Sequence, residues 1–270
     1  SLDARLSGAK ENATPAWAST HPNTADRVTR ARSKAAATPV DRATATRNRD
    51  AFLAAIDGMI YDDDPAQGIV DGQTFRHPGL RLQFTAPAGY AIANGTSAVT
   101  VSGTGGQAQF GGGSRTSDLA AYVQQAFRSA GAQNGVDAAA IRPARINGMD
   151  AMRAVVQANT SQGQVDVGVT AFRTAQGATF HFLTITPAGR GTGPFNGMIE
   201  SVSPLSAAAA AAIRPRRVKV VTVGARDTIA SLSARMAYDN AGQERFVVLN
   251  ALTAGEALRP GQKVKLIVRD

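Results

Sequence analysis

The sequence predicts an α+β multidomain protein: an N-terminal helical segment, an antiparallel α/β sandwich, then a β-α-α-β module. Three observations predict it. Apolar residues recur at three- and four-residue spacing through residues 1–60, alternate with polar ones over most of 74–186, and return to helical spacing between two short strands after 216. Turn-forming Gly, Pro and Asn residues punctuate each change of period. Charge divides along the same lines: nine Lys/Arg stand against five Asp/Glu in residues 1–50, nine against ten in 51–205, and eleven against five in 206–270. Basic ends around a neutral middle give domains at 1–65, 74–204 and 216–270.

The first helix opens at Ser19 or Thr20, either of which can cap free N–H groups, with Pro22 suited to the first turn because it lacks an N–H. Val28, Ala31 and Ala35 then share one face. A second helix, with Thr46, Asn48 and Asp50 as caps, places Phe52, Ala55, Ile56 and Met59 on a common face. Asp62-Asp63-Asp64-Pro65 ends it, since Pro65 disfavours the helical conformation of Asp64. Three adjacent carboxylates invite calcium, but an EF-hand alternates its ligands and closes on a glutamate, so a solvated turn is the expectation.

Period two begins near residue 74. Leu80, Leu82 and Phe84 alternate with polar neighbours, and YAIAN, AVTVSG and QAQFG follow between turns. A helix over 117–130 begins on Ser117 and aligns Leu119, Tyr122, Val123 and Phe127. Strands return at 139–147, 150–158, 164–173 and 178–186, and a short helix at 194–202 closes the unit. Strands and helices in this order imply an antiparallel sheet with helices on one face. Alanine-rich 206–213 and the basic IRPRR lead to a strand at 218–223. Asp227 or Thr228 starts a helix with Ile229, Leu232 and Met236 inward; a second carries Phe246, Val247 and Leu249. Pro260-Gly261 turns into a strand at 263–268.

Composition narrows the chemistry. With no cysteine, disulfides and thiolate metal sites are excluded. No apolar run approaches the ~18 residues of a membrane span, and no signal peptide is recognisable. A start at Ser1 suggests a processed or truncated chain. The net charge of +9 suits an anionic surface, but no aromatic RNA-binding signature interleaves with it, so no specific nucleic-acid partner is expected.

Catalytic motifs are sparse. HExxH and GxSxG are both missing. GRGTGPF (189–195) joins a strand to a helix where N–H groups could cradle an anion, yet it lacks the Walker lysine and reads as a hairpin loop, as do GTGGQ (103–107) and GGGS (111–114). His181 alternates with Phe180 and Phe182, so burying the aromatic pair would turn it to solvent; His77 before Pro78 reads as a turn residue. His21 is left either as a metal ligand or as a helix-entry residue.

PAWAST followed by THPNTADRV (15–28) resembles a segment of the zinc metalloendopeptidases of the HtpX/BepA/CAAX-prenyl-protease family (peptidase family 48). There a Thr-His-Pro step opens a helix with an arginine six residues after the histidine, matching His21 and Arg27. The segment lies downstream of the family's zinc ligands. The resemblance therefore implies the C-terminal portion of a bacterial protease whose zinc lies in the intact parent, with no cofactor for this chain alone. It also makes His21 an auxiliary zinc ligand and Arg27 a supporting residue. An imidazole in the open zinc position would displace the water that becomes the nucleophile.

TVGARDTIASLSARM, FVVLNAL and LRPGQKVKL resemble the three elements of a LysM domain, a peptidoglycan- and chitin-binding fold. Arg226 stands where that pattern has glycine, within the candidate glycan loop Ala225, Arg226, Asp227 and Thr228. The middle module is similar to the Mog/PsbP-like α+β sandwich in its order of elements. Together these resemblances imply a periplasmic or cell-envelope location, an upstream protease domain, protein substrates, and peptidoglycan as a further partner. The alternative is a stand-alone envelope binding or scaffold protein.

Overall fold

A computed structural model describes residues 24–40, 44–132, 134–160, 163–253 and 256–269. Helices α1 (Thr24–Ala37) and α2 (Arg49–Ile56) lead to the short strand β1 (Ile60–Tyr61). Next come β2 (Ile69–Asp71), β3 (Thr74–His77), β4 (Leu82–Thr85), β5 (Ala91–Asn94), β6 (Val99–Gly103) and β7 (Gly106–Ser114). Helix α3 (Leu119–Ser129) precedes β8 (Arg142–Ile146), β9 (Met149–Thr160), β10 (Gly163–Arg173) and β11 (Thr179–Pro187). Helix α4 (Asn196–Glu200), β12 (Ser203–Pro204) and α5 (Ala207–Ala212) follow. The chain ends with β13 (Arg216–Thr222), α6 (Ile229–Ser233), α7 (Gly242–Leu249) and β14 (Lys263–Arg269). Helices and antiparallel sheets make this a mixed α+β protein.

Two compact units result: one of residues up to Tyr61 and from Arg216 onward, the other Asp62–Pro215. In the second, a seven-stranded sheet of order β5-β6-β7-β11-β10-β9-β8 accompanies a four-stranded sheet of order β12-β4-β3-β2, with neighbours antiparallel. Strand alternation sends Phe110, Phe172, Phe180 and Phe182 of the large sheet toward Phe75 and Phe84 of the small one. Phe84 meets Phe182 edge-on at 5.2 Å between centroids and Phe110 at 5.3 Å. Each fully buried ring contributes roughly 2–3 kcal/mol of hydrophobic stabilisation, which makes this cluster the centre of the unit.

The opposite face of the large sheet is also covered. Helix α3 lays Val123 and Phe127 on Ala154, Val169 and Ala171. The cap of this helix is Asp118, whose carboxylate accepts the Ala121 N–H at 2.9 Å, one residue beyond the expected Ser117. Its cover corrects the expectation for His181, which faces the helix rather than solvent and shares a 2.9 Å hydrogen bond between its Nδ1 and the Tyr122 hydroxyl. The glycines of GGGS are also not a loop: Gly111, Gly112 and Gly113 lie within β7. At Gly112 (φ +119°) a Cβ would stand 2.6 Å from that hydroxyl and 2.8 Å from the Thr179 carbonyl, so this position has room only for hydrogen.

The other unit holds a three-stranded sheet of order β1-β13-β14. Val218, Val264, Leu266 and Ile267 of the sheet pack with Leu232 of α6 and Phe246 of α7. Periodicity places the second helix in a separate N-terminal tail with Phe52, Ala55, Ile56 and Met59 on its inner face, and of these Ile56 does pack on the core. Here α2 belongs with the C-terminal strands, and its buried residue is Leu53 at 3% exposure, while Phe52 is 58% exposed. Tertiary partners decide the face: Arg49 donates to the Lys263 carbonyl at 2.7 Å, and Asp50 pairs with Lys263 at 3.5 Å. The segment after the helix then runs along the outer edge of β13. Gly58 donates to the Val218 carbonyl, Val218 donates to the Met59 carbonyl, and the Asp57 carboxylate accepts the Val220 N–H, at 2.8–2.9 Å each.

Candidate functional site

His21 lies outside the described residues. Arg27 lies in α1, and its side chain is likewise outside them. Among the described residues no group of three His, Cys, Asp or Glu side chains is placed to hold a metal ion. His77 and His181 lie on different sheets, and each has its Nδ1 engaged, His77 by the Leu80 N–H at 3.2 Å. These residues do not fit a zinc centre. Burial lowers the pKa of both imidazoles, and for His77 its backbone hydrogen bond partly opposes this.

The other sequence candidates are absorbed into the fold. In the 225–228 loop, the Asp227 carboxylate accepts the Gly224 N–H at 2.7 Å, and Thr228 forms a reciprocal capping box with Ser231 that opens α6. Ala225 and Arg226 remain exposed. In the acidic turn, Asp64 caps the short 3-10 turn Pro65–Gln67, and Asp63 accepts from the Val70 N–H and the Asn94 amide. GRGTGPF is not the expected hairpin loop: it joins β11 to α4, and its N–H groups bind an anion that is internal. Amides of Gly191, Gly189 and Arg190 hydrogen-bond the carboxylate of Asp166, Gly191 at 2.6 Å, and lower its pKa. Asp166 is only 4% exposed, so this nest is occupied by the protein itself.

What remains is a cleft in the sandwich that the sequence did not announce. One cavity of about 700 Å³ lies between the first turn of α3 and strands β8 and β9, with Pro143 and Met152 in its lining. A second, of about 390 Å³, is lined by Leu82, Met149 and Val202. Both are lined by Asp150 and Arg173, so they meet at that pair. The antiparallel register positions the charges: Arg145 stands opposite Asp150 across β8 and β9, and the two form an ion pair at 3.2 Å. Arg173 closes β10, and its Nη2 donates to the Ser117 carbonyl at 2.8 Å just before α3. Its Nε is buried and finds no acceptor among the described residues.

Both acids of the cleft have a contact within the fold, and the Asp150–Arg145 pair is solvent-exposed. The Asp118 carboxylate caps α3, and Asp150 faces Arg145, whereas Arg173 has no carboxylate partner among the described residues. Neither cavity is lined by a histidine. The larger cavity thus brings Arg145 and Arg173 together with Asp118 and Asp150. A charged residue ending an otherwise apolar strand, VGVTAFR, was the available signal for Arg173, but sequence alone could not place α3 and β8 around it.

No family model matches this sequence, and no curated protein matches it. A crystal structure from Bacteroides thetaiotaomicron VPI-5482 is similar to the chain at 10% identity and a TM-score of 0.39, over 58% of this chain and 55% of that one. The chain thus spans little more than half the length of that protein.

Proposed function

We propose that this chain is the non-catalytic C-terminal region of a cell-envelope zinc metalloendopeptidase, positioning the protease on protein substrates or on the cell wall. The observation that carries this reading is the bareness of α1. Every described side chain from Val28 to Ala37 is exposed, and Val28, on the stripe with Ala31 and Ala35, is 41% exposed. A free helix of 14 residues is marginal in water. A helix with an unpacked small-apolar stripe suits the end of a domain lying upstream, which is where the Thr-His-Pro and Arg27 resemblance puts it. The reading locates the zinc and its ligands in that upstream domain, so no step of peptide hydrolysis is assigned to the residues described here.

The C-terminal unit supports the positioning role. Its order β13-α6-α7-β14 and the capping box at Thr228 suit a LysM-like module, with peptidoglycan as the partner this implies. Exposed Ala225 and Arg226 are the loop residues left open to a ligand.

The test compares two purified proteins on a casein substrate. A polypeptide extended upstream through an HExxH helix should show zinc-dependent, chelator-sensitive cleavage, and the 270-residue chain should show none. Zinc-dependent cleavage by the 270-residue chain, or an upstream coding sequence without HExxH, overturns the reading.

A further inference from the structure

We propose that the uncovered half of the large sheet's outer face binds a second copy of this chain, sheet on sheet, about a two-fold axis lying close to the strand direction. Nothing in that contact depends on a protease domain preceding the chain.

Helix α3 covers only part of this face. It packs on β9 and β10, over Ala154, Val169 and Ala171. Strands β5, β6, β7 and the end of β11 stay open beside it. Ala91, Ala93, Ser102, Gln107 and Gln109 are exposed there, and Ile185 is 42% exposed.

The open area carries no charge. No Asp, Glu, Lys or Arg occurs between Arg81 and Arg115, or between Arg173 and Arg190, in a chain with 29 Lys/Arg and 20 Asp/Glu. A solvated surface ordinarily mixes charges of both signs. Copies of a chain of net charge +9 repel one another wherever charged faces meet, so a neutral face is where two of them can approach. The outer face of the small sheet, by contrast, carries the Asp71–Arg76 pair. A charged partner finds nothing to pair with on the neutral face.

Its side chains are also complementary to themselves. One row across the four strands reads Ala91, Ser102, Gln107, Ile185, each residue being the register partner of the next on the same face. The neighbouring row reads Ala93, Thr100, Gln109, Leu183. Size thus rises from the β5 edge toward α3. Turning a second copy about an axis along the strands lays its β5 over β11 of the first, so alanines meet Ile185 and Leu183. The same turn sets the hydroxyls of β6 against the amides of β7, and an amide both donates and accepts. Stacked sheets lie ~10 Å apart, about the thickness of a helix, so the second sheet would stand beside α3 at its level. The contact is isologous and closes at two copies.

The experiment is sedimentation equilibrium of the full 270-residue chain. The weight-average mass should rise toward that of a dimer between about 1 μM and about 1 mM, the range of a small interface. Gln107→Lys and Ser102→Glu each place a charge in the contact, and each alone should weaken association by roughly tenfold or more. An equimolar mixture of the two variants should regain dimer, because the turn sets residue 107 of one copy against residue 102 of the other. Circular dichroism checks that each variant keeps the fold, and the unaltered chain supplies the first readout without them. A chain that stays monomeric throughout the range overturns the proposal. So does a dimer that neither substitution weakens, which would place the contact on another surface. A mixture that associates no better than either variant alone overturns the two-fold arrangement.

Discussion

At the residue scale, polar groups that suggested chemistry are consumed in holding the backbone. Asp166 is the clearest case: the glycine-rich loop offers its N–H groups to an anion, and the anion is a carboxylate from the neighbouring strand. His181 follows the same logic beneath α3, where burial holds its pKa below the usual value of 6.5 and Tyr122 satisfies its Nδ1. The folded state thus favours neutral imidazole, while the unfolded chain takes up a proton at the ordinary value. Stability from this group is full above about pH 6.5 and falls as the pH drops toward the depressed folded value. Thermal melts followed by circular dichroism should show Tm declining from pH 7.5 to 5.5, and His181→Gln should flatten that decline. An unchanged slope in the variant would remove His181 as its source. Helix α3 made the difference, because sequence alternation establishes that His181 opposes Phe180 and Phe182 but not what covers its side of the sheet.

At the element scale, periodicity identified α2 as a helix and placed Ile56 correctly, but it put Phe52 rather than Leu53 on the inner face. Of the expected stripe Phe52, Ala55, Ile56 and Met59, Ile56 does pack on the core, but Leu53 rather than Phe52 is the buried residue, and Met59 lies beyond the end of the helix. The choice fell to partners more than 150 residues away, through Arg49 to Lys263 and Asp57 to Val220. Leu53→Ala should therefore cost about 2–4 kcal/mol, while Phe52→Ala should change stability by less than about 0.5 kcal/mol. Hydrogen exchange of the β13 amides reads both, and the reverse ranking would return the helix to the face its periodicity suggested. The long strands were legible, since β9, β10 and β11 each span nine or more residues, alternate over part of that length and fall within two residues of their expected limits. Long alternation averages out single-residue ambiguities that an eight-residue helix cannot.

On the scale of the whole molecule, the order of elements in sequence differs from their order in space. The first strand pairs with β13 at Ile60 with Arg217 and Tyr61 with Arg216, so the connections into and out of residues 62–215 leave from paired positions. The sandwich is thus an insertion into a unit built from both ends of the described chain. A shortened protein joining Tyr61 to Arg216 through Asn-Gly should fold, because that pair already has the register a two-residue hairpin turn requires. Calorimetry of this protein should give one cooperative transition; its absence would show that the terminal unit needs the sandwich. A fragment beginning at Arg216 would instead expose the β13 edge that residues 57–61 cover, an invitation to aggregate. By itself, the sequence determined the kinds of element, the length of the major strands and the alternating faces of the sandwich, because these follow from local period and turn chemistry. Only the tertiary structure decided which face of α2 is buried, what covers His181, whose anion fills the glycine loop, and that Arg173 stands at a cleft. Each of those depends on contacts between residues far apart in sequence, and no local pattern records which partner will arrive.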